Sequence, residues 1–304
     1  MNLHALRIFS AVAQHRSFSR AAEALHISQP AVSKAVREFE SQLGIPLLER
    51  GPKGVHPTEA GRLLLKHARD LFAAEQSALE SLNALRGLQQ GTLRIGASTT
   101  IATYFLPPFL GAFHRMHPAV ELRLTSANTS TIADLLLQRD LDVALVEGPV
   151  DATELVAEPW REDELVFIAA IEHPLTGRKR SARLSELAEE TIVMRESGSG
   201  TRDVAWDALL STGWTPQRIL EVSSNEAIAR VVTAGLGVGI VSSAVAADHL
   251  ALGRLRVLSV QGLTIRRSLT RLFIPDRQSS PAAAAFNALL DSGIDDGSGL
   301  LSRK

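Results

Sequence analysis

The segment from Ser17 to Gly44, SFSRAAEALHISQPAVSKAVREFESQLG, constrains this chain more than any other, because two short helical patterns flank a tight connection. In the first pattern Ala21, Ala22 and Leu25 are small or apolar at helical spacing, so a second helix can cross closely over them, and Ile27 turns inward from the connection. Ser28 suits an N-cap, and Pro30 falls in the first turn, where its missing N–H removes no helical bond. Ala31, Val32, Ala35, Val36 and Phe39 supply the buried side of the second pattern, and Gly44 ends it. The opposite side carries Gln29, Ser33, Lys34 and Arg37. Gln pairs bidentately with adenine, Ser serves a groove edge or a phosphate, and Lys and Arg reach guanine or phosphate. Two readings meet here: an ordinary helical hairpin with a solvated polar face, or a helix-turn-helix whose second helix enters the major groove.

The flanking residues favour the second. Leu3, Leu6, Phe9, Val12 and Ala13 form an apolar stripe on a preceding helix, against which the pair can pack. After Gly44, PLLERGPKGVHPT has two short extended arms, with Gly51, Pro52 and Gly54 at the bend and Arg50 and Lys53 at the tip. This is a β-wing that sets two cations beside a phosphate backbone. From Thr58 a proline-free run predicts a helix of roughly 30 residues, about 45 Å long. Leu64, Ala68, Leu71, Ala78, Leu82 and Leu85 recur on it at three- and four-residue steps, interrupted by Glu75 and widened by Leu65, Phe72 and Leu79. That face either lies on its own domain or pairs with the same helix of a second copy.

Through LHALRIFSAVAQHRSFSRAAEAL, ISQPAVSKAVREFE, PLLER and TEAG the chain resembles the LysR-type transcriptional regulators. Leu48, where a Phe is common, and His56 with Pro57 before Thr58 depart from that pattern without removing a DNA-facing side chain. The resemblance extends over nearly the whole chain. It implies dimers through the linker helix, often tetramers through added effector-domain contacts, and a C-terminal effector-binding domain.

Charge and composition agree. Residues 1–90 hold 11 Lys/Arg and 8 Asp/Glu, net +3, whereas residues 91–304 hold 21 and 25, net −4, so affinity for nucleic acid belongs to the N-terminal end. With 0 Cys there is no disulfide, thiol sensor or Cys-based metal site. Arg7, His15 and Arg16 break up the N-terminal apolar residues, so no secretory signal is read and a cytoplasmic location is expected. The uncharged run Val231 to Ala247 is too short and too rich in Gly, Ser and Thr to span a membrane. It reads as a helix end, a glycine turn and a buried strand.

Beyond Gln90 strands and helices alternate. Thr92–Ala97, Val120–Ala127 and Asp142–Glu147 read as strands, with helices at Ile101–Met116 and Thr129–Arg139 between them, which makes a parallel sheet. A second unit runs through strands Glu164–Ala170, Thr191–Arg195, Ile219–Ser223 and Gly237–Ser242 with helices Thr201–Thr212 and Asn225–Ala234. Strand Ser268–Ile274 and helix Pro281–Leu290 return to the first unit. The expected organisation is α/β: a winged helix-turn-helix over 1–57, a linker helix over 58–90, and a two-lobed, Rossmann-like effector-binding domain over 91–304, similar to periplasmic binding proteins. Lobe I is 91–161 with 268–304, and lobe II is 162–267.

Parallel sheets bind ligands at the carboxyl ends of their strands. In lobe I these ends carry Ser98, Thr99 and Thr100, then Asn128 and Thr129, then Glu147. In lobe II they carry Arg195, the loop with Ser199, then Thr201, and after the next strand Ser224, Asn225 and Glu226. Hydroxyls and amides at helix N-termini, with Arg195, suit a small anion, and Glu147 keeps a zwitterion open. The competing reading makes the hydroxyls simple helix caps and pairs Arg195 with Glu147 or Glu196.

Catalytic signatures are missing. Gly235, Gly237 and Gly239 are spaced GxGxG, not GxGxxG, and neither a Walker A sequence, HExxH nor GxSxG occurs. His114 and His117 read as a helix end, not a metal pair, so no catalytic residue, metal ligand or cofactor is expected. The chain is expected to be an effector-responsive regulator that binds double-stranded DNA and a small molecule as a homo-oligomer, without membrane association. Its alternatives are a ligand-independent regulator and a small-molecule receptor without DNA function.

Overall fold

The computed structural model describes residues 2–51, 54–85, 91–150, 152–178, 180–275 and 277–293. The chain divides into two compact units, Met1–Leu79 and Glu80–Lys304.

In the first unit α1 (Leu3–His15), α2 (Phe18–Leu25) and α3 (Gln29–Leu43) follow one another with minimal connections. Side chains of Asn2, Ser17 and Ser28 accept bonds from first-turn amides of the three helices. Ile8, Val12, Ala21, Ala22, Val32 and Val36 bury together, as the helical spacing predicts. Leu3, Ile27 and Ala31 do not join them and are exposed. For Ile27 the reason is the closure of α2: His26 is left-handed (φ 55°), Ile27 N–H bonds to the Ala22 carbonyl at 3.1 Å, and the side chain is left outside.

The wing forms despite the departures at Leu48, His56 and Pro57. Strand β1 (Leu48–Gly51) pairs antiparallel with β2 (Gly54–Pro57). Glu40 Oε1 accepts from the amides of Leu47 and Leu48 at 2.7 and 3.0 Å, and Val55 N–H donates to the Arg16 carbonyl at 3.0 Å, so the wing is held to both α3 and the α1–α2 corner. Helix α4 (Glu59–Leu85) bears out the first reading of its apolar face over part of its length. Its first turns lie on their own unit, where Leu64, Leu65, Ala68 and Phe72 cover Leu6, Phe9 and Phe39. Leu71, beside Phe72, and Leu79 and Leu82 farther along are 41, 52 and 55% exposed.

The second unit is built on one nine-stranded sheet in the order β4 (Val120–Ala127), β3 (Gly91–Ser98), β5 (Val143–Glu147), β11 (Ile265–Phe273), β6 (Val156–Ala170), β9 (Val238–Ser242), β7 (Thr191–Arg195) and β8 (Arg218–Val222), with β10 (Leu255–Val257) added to β6. Strands β3, β4 and β5 are parallel. Helices α5 (Pro107–Met116) and α10 (Pro281–Ser292) bury one face of them and α6 (Thr129–Leu137) the other. Strands β7, β8 and β9 form the second parallel set, between α7 (Gly200–Ser211) on one side and α8 (Asn225–Thr233) and α9 (Ser243–Ala251) on the other.

The expected lobes are thus two halves of a continuous sheet. They are joined by antiparallel β6 and β11, whose register shifts between Leu269 and Thr270. The sequence reading recovers only the second part of β6 and has no counterpart for α9 or β10. Its helix Ile101–Met116 is broken, with a π-turn over Ile101–Phe105 and α5 restarting at Pro107. Leu106 keeps helical dihedrals (φ −80°, ψ −30°), but Pro107 and Pro108 have no N–H to give to the preceding turn, which accounts for the break.

Gly61 marks the closest approach within the first unit, since a Cβ there would stand 2.1 Å from the Leu47 carbonyl oxygen. Gly61→Ala is therefore expected to cost about 1–3 kcal/mol by forcing α4 off the wing. All three tryptophans, Trp160, Trp206 and Trp214, lie in the second unit. Denaturant unfolding followed by far-ultraviolet dichroism should then shift for the first unit while the tryptophan transition stays in place. A common shift in both signals would count against the assignment.

Candidate functional site

Helix α3 presents Gln29, Lys34 and Arg37 exposed and Ser33 half-buried. Gln29 Nε2 donates to Ser33 Oγ at 2.8 Å and Arg37 Nε to the Ser33 carbonyl at 3.2 Å, so these side chains are pre-set along one face. Lys34 meets Glu38 at 3.8 Å, an exposed pair of little strength. Arg50 is exposed on β1, and Lys53 lies outside the described residues. The sequence reading overlooked a neighbouring cluster. Gln14, His15, Arg16, Ser17, Arg20 and Gly54 line a concave surface of about 550 Å³ where α1 meets α2 and the wing. The signal available was the pair of arginines flanking an N-cap serine.

The carboxyl ends of β3, β5 and β7 meet the starts of α6, α7 and α8, and the polar residues there are buried. Ser98, Thr100, Thr129, Glu147, Arg195, Ser199, Thr201 and Asn225 are each at most 3% exposed. Glu147 is the hub. Its Oε1 accepts from Thr100 Oγ1 at 3.1 Å and Thr201 Oγ1 at 3.0 Å, and its carbonyl accepts from Thr129 Oγ1 at 2.8 Å. Asn225 Nδ2 donates to Thr100 Oγ1 at 2.8 Å. Gly200 makes the approach of α7 to β5 feasible, because a Cβ there would stand 1.5 Å from the Glu147 carbonyl oxygen.

Three residues outside the predicted set complete this web. Arg267, on β11, is ion-paired through Nη2 with Glu147 at 3.1 Å and with Asp163 of β6 at 2.7 Å, and its Nη1 donates to Thr201 Oγ1 at 2.8 Å. Ser242, at the end of β9, donates to Asp163 at 2.8 Å. Glu147 is therefore paired, but with Arg267 and not Arg195. Arg195 forks onto Glu196 at 2.8 and 2.9 Å, as the competing reading held. Burial by itself raises the Glu196 carboxyl, yet hydrogen bonds from Arg195, its own backbone and Asn128 outweigh this and hold it below the ordinary carboxylate range.

Ser224 is a simple cap, accepting from Ala227 N–H, whereas Asn128 caps α6 by accepting from Thr131 N–H and also reaches Glu196. Thr99 reaches only the Ala127 carbonyl, at 3.5 Å. Glu226 is turned to Arg230 and His249 at 2.8 and 3.2 Å and does not enter the web. Nine buried side-chain polar atoms among the described residues have no hydrogen-bond partner, and six of them gather here: Ser98 Oγ, Ser199 Oγ, Arg195 Nη1 and Asn225 Oδ1, with Glu147 Oε2 and Arg267 Nη2, which face each other as an ion pair at 3.1 Å. Unsatisfied polar atoms gathered at strand ends have the chemistry of a small-molecule site.

Residues 3–62 match the family of bacterial regulatory helix-turn-helix proteins of the lysR type, and residues 86–294 match the LysR substrate binding domain. The RuBisCO operon transcriptional regulator of Allochromatium vinosum is 38% identical over 286 residues, covering 94% of both chains. Full-length OxyR from Pseudomonas aeruginosa superposes with a TM-score of 0.74 at 28% identity, covering 96% of this chain and 94% of that one. The regulatory domain of Synechocystis CcmR, solved in complex with 2-PG, has a TM-score of 0.62 at 29% identity over 68% of this chain and 99% of its own. An exposed helix-turn-helix face, a two-lobed domain with a polar site at its strand ends, and family matches over both units make this chain a member of the LysR family, a sequence-specific, effector-responsive transcriptional regulator and not an enzyme.

Proposed function

We propose that this regulator acts in the cytoplasm as a homodimer or homotetramer on an operon of the RuBisCO kind, and that its effector is a small anionic or zwitterionic metabolite. The operon assignment rests on the relative from Allochromatium vinosum. Residues 1–57 serve as the winged reader, 58–90 as the dimerising helix and 91–304 as the effector domain. Lobe I is then 91–161 with 268–304, and lobe II is 162–267. Gln29 and Ser33 read bases, while Lys34, Arg37, Arg50 and Lys53 hold phosphates. The observation that carries the effector assignment is the set of buried, unpartnered donors Ser98 Oγ, Ser199 Oγ and Arg195 Nη1. Glu147 argues less against an anion, because its carboxylate is already held by Arg267 and by the hydroxyls of Thr100 and Thr201. The CcmR neighbour binds 2-PG, which makes that compound the first probe.

Lys34→Ala should weaken binding to every duplex and lower the salt slope by about 0.9, whereas Gln29→Ala should relax discrimination at one base pair by roughly 1–3 kcal/mol. Binding isotherms on operator and random DNA at several salt concentrations measure both. Equal losses on both duplexes for Gln29→Ala would mean that α3 does not read sequence.

Leu71→Asp with Leu82→Asp places charges on the exposed part of α4. The double variant should lose most of its preference for two half-sites over one, because avidity needs two joined heads. Sedimentation and DNA binding that match the parent protein would remove α4 from the dimer contact.

For the effector, Arg195→Ala should lose at least tenfold in affinity for 2-PG in calorimetry on the full chain, and neutral analogues should not bind. Anion affinity that survives this substitution would overturn the assignment of Arg195.

A further inference from the structure

We propose that the Glu147 carboxylate is the built-in occupant of an anion site between the two halves of the sheet, so that the effector is read by a different set of donors. The site's composition makes the case. A guanidinium and two hydroxyls surround the carboxylate, and they come from both halves: Thr100 follows β3, Thr201 opens α7, and Arg267 stands on the joining strand β11. Such a set is what a protein offers a bound carboxylate. Here the chain fills it with its own side chain, which is 2% exposed.

Hydrogen-bond direction makes the assignment specific. A hydroxyl has one proton. Arg267 Nη1 and Asn225 Nδ2 can only donate, so Thr201 and Thr100 accept from them and must give their own protons to Glu147 Oε1. Thr129 gives its proton to the Glu147 carbonyl. These three threonines therefore have no proton left for an effector. Arg267 is equally committed, since Asp163, its directly opposed cross-strand neighbour on β6, takes Nε at 2.7 Å and pairs with Nη2.

Outside the ion pairs that Arg267 makes with Glu147 and Asp163, the unspent groups of the site are Ser98 Oγ, Ser199 Oγ and Arg195 Nη1 as donors and Asn225 Oδ1 as acceptor. An acid that also carries a hydroxyl or another proton donor satisfies both kinds. This ligand class rests on the effector site proposed above, whereas the built-in anion does not depend on it.

Chemical rescue tests the built-in anion directly. Glu147→Ala deletes the equivalent of acetate and leaves Arg267 facing the gap. In the full chain without effector, the variant should melt lower than the parent. Acetate at tens of millimolar should raise its melting temperature by several degrees and its refolding yield severalfold, while chloride at equal ionic strength and acetamide should not. The parent protein and Arg195→Ala should show neither response. Glu147→Gln keeps the volume and should gain nothing from acetate, and Glu147→Ala with Arg267→Met should lose the rescue. If the single variant does not fold alone, refolding in acetate against refolding in chloride supplies the same comparison. Equal effects of acetate and chloride, or of acetate on parent and variant, would overturn the proposal. Rescue by acetate together with Arg195-independent binding of 2-PG would retain the built-in anion and remove only the effector assignment.

Discussion

Arg267 carries a full positive charge to a position where its side chain is 1% exposed, and protein groups have to replace the water that would solvate it. Burying an ion costs several kcal/mol even after relaxation, and an ion left without its partner costs more. Asp163 and Glu147 supply the counter-charge, Thr201 takes a further N–H, and Ser242 supports Asp163. Two carboxylates on one guanidinium leave one negative charge over. Hydroxyl protons from Thr100 and Thr201, with the close start of α7, meet it. Removing any member exposes the others to the full desolvation cost, so these residues constrain one another far beyond their individual bonds.

That interdependence gives the two halves a defined relation. Bonds to Glu147 come from elements of both, and Gly200 brings α7 against its carbonyl at a distance no other residue permits. Ser130 adds a bond from the start of α6 to the Gly198 carbonyl in the β7–α7 loop, at 3.3 Å. An effector changes DNA binding only to the extent that it binds one arrangement of the halves better than another. In the proposed assignment, a ligand held by Arg195, Ser98 and Ser199 sits one or two residues from Thr100 and Thr201, whose bonds to Glu147 a relative movement of the halves would have to break.

The DNA-reading unit is stabilised differently, by local caps and short closures more than by charge. α1, α2 and α3 each end in a left-handed residue, Arg16, His26 and Gly44, so each helix stops abruptly and the next starts within a few residues. Close succession lets Ala21 and Ala22 face Val32 and Val36 directly. The outward residues of α3 are then free of core duties and available to DNA.

Elements with a strong local signal were legible in the sequence. The recognition helix follows from Ser28, Pro30 and the Val32, Val36, Phe39 spacing, and most strands follow from short apolar runs bounded by polar caps. Many residues of the buried polar web were also legible, because the ends of parallel strands and the helix starts that follow them gather polar side chains in one place. Arg267 was missed since its partner Asp163 lies 104 positions away, and no local rule joins them. A hint existed: Arg267 shares a strand face with buried Ile265 and Leu269, as Asp163 does with Leu165 and Phe167. Alternation along a strand says that such a side chain points inward, but only the tertiary structure decides which opposite charge awaits it. The same holds for Glu147 and Arg195. Sequence placed both at strand ends, and the packing of β11 and α7 decided that Glu147 would meet Arg267 while Arg195 turned to Glu196, because pairing of buried charges depends on distances that exist only once the sheet is assembled.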